Sequence, residues 1–125
     1  MVVTYMFAGM AVADYEAAYE WYVQLLGREA DMYPHDTEAV WRLTSSSAIY
    51  VVQDPQRVGR GLLTVAVDDL DAHETRLLEA GLPFAELAAE DAPRRLVVRD
   101  PDGNTLTFFE SRGMPRSVGL GDLHT

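Results

Sequence analysis

Residues 5–27 read YMFAGMAVADYEAAYEWYVQLLG, and residues 62–81 read LLTVAVDDLDAHETRLLEAG. Each stretch opens with an apolar run, reaches an aspartate, continues with leucine and aromatic residues at helical spacing, and ends at a glycine. A repeat of this length is the signature of a duplicated structural unit. The sequence therefore predicts two similar modules that each open with a strand followed by a helix of about three turns.

The residues at the ends of the two predicted helices match what helix termini require. Asp14 and Asp69 precede the helices, where a carboxylate accepts hydrogen bonds from free amides and favours the positive end of the helix dipole. Gly27 and Gly81 follow the helices, where glycine adopts the left-handed conformation without a Cβ clash. Both helices are thus predicted to have defined starts and stops.

Three short extended segments follow each helix. The most distinct turn is Asp100-Pro101-Asp102-Gly103, which predicts a tight hairpin between the last two strands. The corresponding turn in the first half is the looser Ser45-Ser46-Ser47. The predicted strands lie near residues 30–33, 40–43 and 48–52 in the first half, and near 84–87, 95–98 and 105–109 in the second.

These elements predict an α+β fold in which two βαβββ modules form a curved mixed sheet with a concave pocket. One helix covers only one face of a four-stranded sheet, so the other face is left for the second module or a ligand. We expect a single domain over residues 1–125. Its parts are a first module at about 3–54, a linker at 55–60, a second module at about 61–111 and a C-terminal tail at 112–125.

Charge and composition exclude several functions. The formal net charge of the 125 residues is −10, which disfavours nucleic acid because phosphate binding needs a basic surface. The chain has no cysteine and no lysine, which excludes disulfides, thiolate metal sites and Schiff-base chemistry. No apolar run approaches the roughly 20 residues of a membrane helix, and no basic segment follows Met1. We therefore expect no membrane partner and a cytoplasmic location.

Several stretches carry a family resemblance. They are VAD at 12–14 with WYVQLLG at 21–27, VDDLD at 67–71, and DPDGN at 100–104 with FFE at 108–110. In order and spacing they resemble the vicinal-oxygen-chelate superfamily, which includes glyoxalase I, extradiol dioxygenases, fosfomycin-resistance enzymes and bleomycin-resistance proteins. The resemblance spans about residues 3–111 and implies the paired-module fold described above.

The resemblance also implies four metal positions, one in the first and one in the last strand of each module. In this chain those positions hold Phe7, Tyr50, Leu62 and Thr107. Phenylalanine and leucine offer no lone pair, and zinc, iron, manganese or nickel each require several histidine, carboxylate or thiolate donors. We therefore expect no metal ligands and no cofactor.

Strand alternation gives a candidate ligand-binding face. If the four positions face inward, so do their neighbours two residues away, and the resulting surface is apolar and aromatic with a few hydroxyls. The facing of Trp41 and Arg42 is left open by alternation alone. The same side chains would also suit plain packing or a dimer interface. The candidate ligand-binding residues are Tyr5, Phe7, Trp41, Tyr50, Leu62, Thr64, Thr107 and Phe109.

The remaining polar candidates have simpler interpretations. His73 lies between leucines on the apolar helical face and is interpreted as a packed helix residue. His124 lies in the tail, and residues 35–38, HDTE, are interpreted as a polar loop. Glu86, Glu90 and Asp91 are expected near the rim of the pocket. They would favour a cation at the pocket mouth, or simply face water, as acidic side chains in loops usually do.

The leading hypothesis is a metal-independent protein that binds a small molecule and sequesters an antibiotic or another aromatic or cationic compound, with no catalytic residue. The alternative is a lyase, isomerase or oxidoreductase that uses a displaced metal or an acid–base group such as Tyr5, Tyr50, His35 or Glu110. A third hypothesis makes the inner face a protein interface. The resemblance implies a homodimer in each case.

Overall fold

The computed structural model describes residues 1–113 and contains two modules of one helix and four strands. This confirms the predicted α+β fold. The first module consists of β1 (Met6–Val12), α1 (Tyr15–Leu26), β2 (Met32–His35), β3 (Glu38–Thr44) and β4 (Ser47–Gln53). The second consists of β5 (Leu62–Val67), α2 (Leu70–Ala80), β6 (Ala85–Ala89), β7 (Ala92–Arg99) and β8 (Thr105–Glu110), followed by a 3-10 turn at Ser111–Gly113.

The two sheets have the same topology. Their strand orders are β1-β4-β3-β2 and β5-β8-β7-β6. The first strand of each module pairs in parallel with the last strand, and the other pairs are antiparallel. As a result β1 and β5 are edge strands, and no backbone ladder joins one sheet to the other within the described chain.

The helix ends confirm the sequence prediction. The Asp14 carboxylate accepts a hydrogen bond from the Ala17 amide, and Asp69 caps α2 in the same way. Gly27 has φ +77° and Gly81 has φ +69°, so both take the left-handed conformation that lets a helix close. Neither helix of the described chain is long and apolar enough to cross a lipid bilayer.

A single hydrophobic core joins the modules. Each helix covers one face of its own sheet, and the two helices contact each other. Tyr22 and Leu25 of α1, Leu77 of α2, Trp41 of β3 and Phe108 of β8 all belong to this one cluster. Fully burying one aliphatic or aromatic side chain contributes roughly 1.5–3 kcal/mol, so this shared cluster holds the two halves together.

The turn between β7 and β8 forms a second connection between the modules. Asp100 is only 4% exposed, and its carboxylate accepts a 2.8 Å hydrogen bond from the Tyr22 hydroxyl of α1. The Asn104 side-chain amide donates to the Ala11 carbonyl, and its oxygen accepts from the Gly61 amide, both at 2.8 Å. This turn therefore fixes the end of β1 beside the start of β5.

The strand prediction was inaccurate around β2. Residues 30–33 were expected to be extended, but regular pairing begins at Met32 because the Asp31 carboxylate accepts from the Arg42 amide at 2.6 Å. Residues 35–38 are not a loop. His35 ends β2, Glu38 begins β3, and only residues 36–37 form the turn. The predicted tail lies outside the described residues from position 114 onward, and His124 lies with it.

Candidate functional site

Backbone register shows which residues share a sheet face. In the first module Phe7 lies beside Ala48, and Gly9 lies beside Tyr50. These side chains lie on the face of the sheet opposite the core residues that pack against the helix. We call it, together with the equivalent face of the second module, the inner face. In the second module it carries Leu62 beside Thr105, Thr64 beside Thr107, and Ala66 beside Phe109.

Two aromatic residues of the predicted ligand-binding set, Tyr5 and Phe7, lie together at the start of β1. The Tyr5 and Phe7 ring centroids are 4.7 Å apart, and the Tyr5 hydroxyl donates to the Ser47 carbonyl at 3.3 Å. Phe7 is 59% exposed and Leu62 is 84% exposed, whereas Tyr50 is half-buried. The part of the inner face around β1 and β5 is thus largely apolar and exposed. Seven of the eight predicted residues lie on it: Tyr5, Phe7, Tyr50, Leu62, Thr64, Thr107 and Phe109.

Trp41 lies on the opposite face, so the prediction that it lines the pocket is wrong. It is 0% exposed, and its indole Nε1 donates to the Arg28 carbonyl at 2.9 Å. The Tyr22 ring of α1 lies 6.1 Å from the indole ring. Trp41 pairs with Ile49, a core residue, so its neighbour Arg42 is the one that faces inward beside Ala48.

A cavity of about 340 Å³ lies at the seam between β1 and β5. Consecutive residues of β1 and of β5 line the cavity, so its walls include side chains from both faces of each strand. The cavity therefore lies between the two strand edges as well as on the inner face. Phe7 and Thr64 are the two predicted residues among its walls. We call it the seam cavity; its walls are Met6, Phe7, Ala8, Leu43, Thr44, Ser47, Ala48, Leu63, Thr64, Val65 and Ala66.

A smaller cavity of about 270 Å³ reaches the same seam from the helix side. It shares Leu43, Thr44, Leu63, Val65 and Ala66 with the seam cavity. His73 and Arg76 of α2 line its other side together with Leu25 and Leu26 of α1. The seam is therefore incompletely filled from both directions.

The unequal hairpins of the repeat explain the position of the cavity. The β7–β8 turn has five residues, Asp100 to Asn104, and reaches across to β1. The β3–β4 turn has only Ser45 and Ser46, and within residues 1–113 its hydrogen bonds stay inside the first module. One end of the seam is therefore bridged and the other is open. The looser turn is visible in the sequence, but nothing in the sequence pattern identifies Leu43, Thr44 and Ser47 beside it as walls of the cavity.

Comparison with known proteins agrees with this architecture. The profile described as a glyoxalase-like domain matches residues 7–109. The chain belongs to the glyoxalase-like domain family. No match was found among curated proteins.

Solved structures give the same fold. A glyoxalase/bleomycin resistance protein from Catenulispora acidiphila is 39% identical, with a TM-score of 0.82 over 89% of this chain and 98% of that one. TnmS3, an antibiotic binding protein from Streptomyces sp. CB03234, is 22% identical, with a TM-score of 0.69 over 87% and 96% of the two chains. A lactoylglutathione lyase from Agrobacterium tumefaciens is 18% identical, with a TM-score of 0.72 over 86% and 92%. The last two comparisons show the fold alone.

The residues of this glyoxalase-like domain do not fit a divalent metal ion at the positions that the superfamily resemblance implies. Phe7, Tyr50, Leu62 and Thr107 offer two hydroxyls and no carboxylate or imidazole. Among residues 1–113 no three histidine, cysteine, aspartate or glutamate side chains are grouped closely enough to hold a metal ion. Residues 1–113 therefore supply no set of metal donors at these positions.

The other acid–base candidates point away from the seam cavity. Glu110 accepts from the Leu70 amide at the start of α2, and this contact, followed by Arg112, lowers the pKa of its carboxyl. The His35 side chain is 74% exposed and lies 3.9 Å from Glu38. Neither group lines the seam cavity.

The expected acidic rim is also absent at Glu86. This residue pairs with core residue Leu96, which places it on the helix side of the sheet. There the Arg94 guanidinium donates to the carboxylates of Glu86, Asp71 and Glu74 at 2.7–2.9 Å. The expectation that Glu86 attracts a cation at the pocket mouth is therefore wrong. Glu90 and Asp91 form the exposed β6–β7 turn.

His73 makes stability sensitive to mild acid. Burial, followed by the Arg76 charge, lowers the pKa of its imidazole, and its Nε2 is buried without a partner among the described residues. The unfolded chain therefore binds a proton more readily than the folded one, so stability present at pH 7.5 falls as the pH drops below about 6.5.

We expect His73→Gln to reduce this loss, measured by urea unfolding at pH 7.5 and 5.5. Carboxylates titrate in both proteins, so the comparison between variant and wild type isolates the histidine. His35→Gln removes an exposed imidazole and is the matched control. An unchanged pH dependence in His73→Gln would contradict the assignment.

Proposed function

We propose that this glyoxalase-like domain binds small aromatic molecules at the seam cavity without a metal ion. The observation that carries the proposal is an open, largely apolar cavity of about 340 Å³, beside the positions that lack metal donors. Small-molecule pockets are typically about 300–1,000 Å³, apolar, and provided with a few polar groups. Here Thr44, Ser47 and Thr64 supply hydroxyls among the apolar walls.

The size of the apolar surface supports binding without a metal. Removing about 200 Å² of apolar ligand surface from water contributes about 5 kcal/mol at roughly 25 cal/mol per Å². The loss of translational and rotational freedom on association offsets part of this free energy, so a few hundred micromolar is the tightest dissociation constant that this burial alone would give. Hydrogen bonds from the wall hydroxyls would add to this affinity.

The names of two similar proteins support a role in sequestration. One is a glyoxalase/bleomycin resistance protein and another is an antibiotic binding protein. Sequestering a molecule requires a pocket and no chemistry, which matches the residues found here. We therefore propose an antibiotic or a similar aromatic compound as the ligand, and a homodimer as the binding unit.

The test is titration with the fluorescent aromatic probe 8-anilinonaphthalene-1-sulfonate, using Phe7→Asp. Introducing a carboxylate into the cavity wall is expected to weaken binding at least tenfold, because the charge must then be desolvated beside the ring. Leu78→Asp is the matched control, because Leu78 is 65% exposed and Phe7 is 59% exposed. Leu78 is not a wall residue of the seam cavity or of the smaller cavity beside it.

Dialysis against a chelator tests the metal-independent part of the proposal and is expected to leave the dissociation constant unchanged. Light scattering on the same sample measures whether the binding unit is a dimer. Equal affinity in the Phe7→Asp and Leu78→Asp proteins would place the probe elsewhere and reject the seam cavity as the binding site.

A further inference from the structure

The inner face carries arginines on both sides of the seam cavity. Arg42 lies beside Ala48, a wall residue of the cavity. Arg95 lies beside Phe109, which lies beside Ala66, another wall residue. The two arginines thus occupy central strands of different modules, on opposite sides of the same opening. The Arg42 guanidinium contacts Met32 Sδ at 4.0 Å on the β2 side, which leaves Arg95 as the candidate.

Arg95 differs from the preceding residue of β7, Arg94, because no carboxylate of residues 1–113 pairs with it. Its neighbour Arg94 faces the helix side and donates to three carboxylates. Arg95 Nε is buried and makes no hydrogen bond within the described chain. A buried donor without an acceptor is costly, and such groups in native proteins call for a missing partner.

We propose that the ligand bound at the seam cavity carries an anionic group, a carboxylate or its equivalent, and that Arg95 binds it. This inference rests on the proposed function and names the chemical class of the ligand. The guanidinium is a planar fork of donors that matches a carboxylate or a sulfonate with two parallel hydrogen bonds.

The dimensions of the sheet suit an aromatic acid. Neighbouring strands are about 4.8 Å apart, so the Cα atom of Arg95 lies about two strand spacings from that of Ala66. An aromatic ring in the cavity would place an attached carboxylate above Phe109, where the long arginine side chain reaches it. The Phe109 ring would then shield the Arg95 guanidinium and the ligand carboxylate from water on the side of the sheet. A hydrogen bond between charged groups is stronger where water is excluded.

The charge on the inner face opposes the charge of the whole protein. The chain has a net charge of −10, yet the acidic side chain that shares the inner face of β3, Glu38, lies beside Val52 and not beside the cavity residue Ala48. Four residues along a strand separate Glu38 from Arg42, a distance of about 13 Å. The nearest inner-face charges flanking the cavity on β3 and β7 are therefore positive.

The experiment uses three probes that share one ring: 2-naphthoate, 2-naphthamide and 2-naphthylmethylammonium. Hydrogen bonds to charged groups correspond to about a 10- to 100-fold preference, so the wild-type protein is expected to bind the naphthoate at least tenfold more tightly than the amide. Arg95→Gln is expected to remove that preference while keeping the affinity for the amide.

Arg99→Gln is the matched control. Arg99 lies on the same strand and face but beside Thr105, in the Leu62 row, which is outside the seam cavity. The Arg99→Gln variant changes the net charge by the same amount as Arg95→Gln. A loss of preference in Arg95→Gln alone therefore reports a local contact and not the change in net charge. Arg95→Lys is expected to retain part of the preference, because a point charge remains but the fork is lost.

The outcomes separate this inference from the proposed function. Equal binding of naphthoate and amide by the wild type, or an unchanged preference in Arg95→Gln, would overturn the anion site and leave the aromatic cavity standing. Loss of amide binding in Arg95→Gln would show that Arg95 supports the cavity wall, and would also overturn it. If none of the three probes nor the anilinonaphthalene dye binds the wild type, the proposed function itself fails.

Discussion

Asp100→Ala is expected to lower the free energy of unfolding by about 3–4 kcal/mol, because it leaves several buried donors without an acceptor. The Asp100 carboxylate accepts hydrogen bonds from the Tyr22 hydroxyl, the Asn104 side-chain amide and the backbone amides of Asp102 and Asn104, all at 2.8–3.0 Å. Burial, followed by the charge of Asp100, raises the pKa of Tyr22, so the phenol remains a donor. The measurement is urea unfolding at neutral pH.

Asp102→Ala is the matched control for this prediction. Asp102 lies in the same turn, but its side chain accepts one 3.2 Å hydrogen bond from the Ala13 amide at an exposed position. Its replacement is expected to cost about 1 kcal/mol or less. Equal losses from the two replacements would show that the turn acts through its backbone shape and not through the buried carboxylate.

The loss of Asp100 has a consequence for the proposed site. Asn104 is held by Asp100 and in turn bridges Ala11 at the end of β1 to Gly61 before β5. These bonds close one end of the seam whose other end forms the cavity. At a temperature where the variant remains folded, we therefore expect probe affinity to fall as well, because the spacing of the cavity walls is no longer fixed.

Much of the fold could be predicted because its signals are local. Asp14 and Gly27 mark the ends of α1 through capping chemistry that depends on a few adjacent residues. The same signals recur around α2, so the repeat was visible without any knowledge of tertiary contacts. Local signals also predicted the turn at Asp100, although not its buried bond to Tyr22, which is 78 residues away in sequence.

The facing of β3 could not be predicted because it depends on non-local pairing. Alternation states that Trp41 and Arg42 lie on opposite faces, but it does not say which face the helix covers. The register with β4 decides this by placing Trp41 beside Ile49. A large aromatic residue was expected to line a pocket, yet the volume under α1 required it in the core.

The charge of the site also escaped prediction, since net charge is a property of the whole surface. The chain has 20 acidic residues, and the sequence predicts that Glu86 is one of those that favour a cation at the pocket mouth. The pairing of β6 with β7 turns Glu86 toward Arg94 and α2, while Arg95 faces the other way beside Phe109. Arg94 and Arg95 point to opposite faces of β7, and this alternation sets the charge on the inner face. The overall composition of the chain does not.

Trp41→Ala is expected to lower the free energy of unfolding by about 3–5 kcal/mol, the usual range for removing a large buried aromatic side chain. Trp41 is 0% exposed and its ring lies 5.6 Å from that of Tyr19 and 6.1 Å from that of Tyr22. The replacement leaves a cavity beneath α1 and removes the indole bond to the Arg28 carbonyl. Thermal and urea unfolding measure the loss.

Tyr50→Ala is the informative comparison, because Tyr50 is an aromatic residue on the neighbouring strand β4 that faces inward. It is half-buried, and its ring lies over Gly9, where a Cβ would come within 2.4 Å of Tyr50 Cζ. We expect a smaller loss of stability, about 1–2 kcal/mol. Probe affinity is also expected to change, because Tyr50 lies two residues along β4, on the same face, from the wall residue Ala48. The Trp41→Ala protein, where still folded, is expected to bind the probe normally. The reverse pattern, with stability retained and binding lost in Trp41→Ala, would return Trp41 to the ligand side and require β3 to pair in a different register.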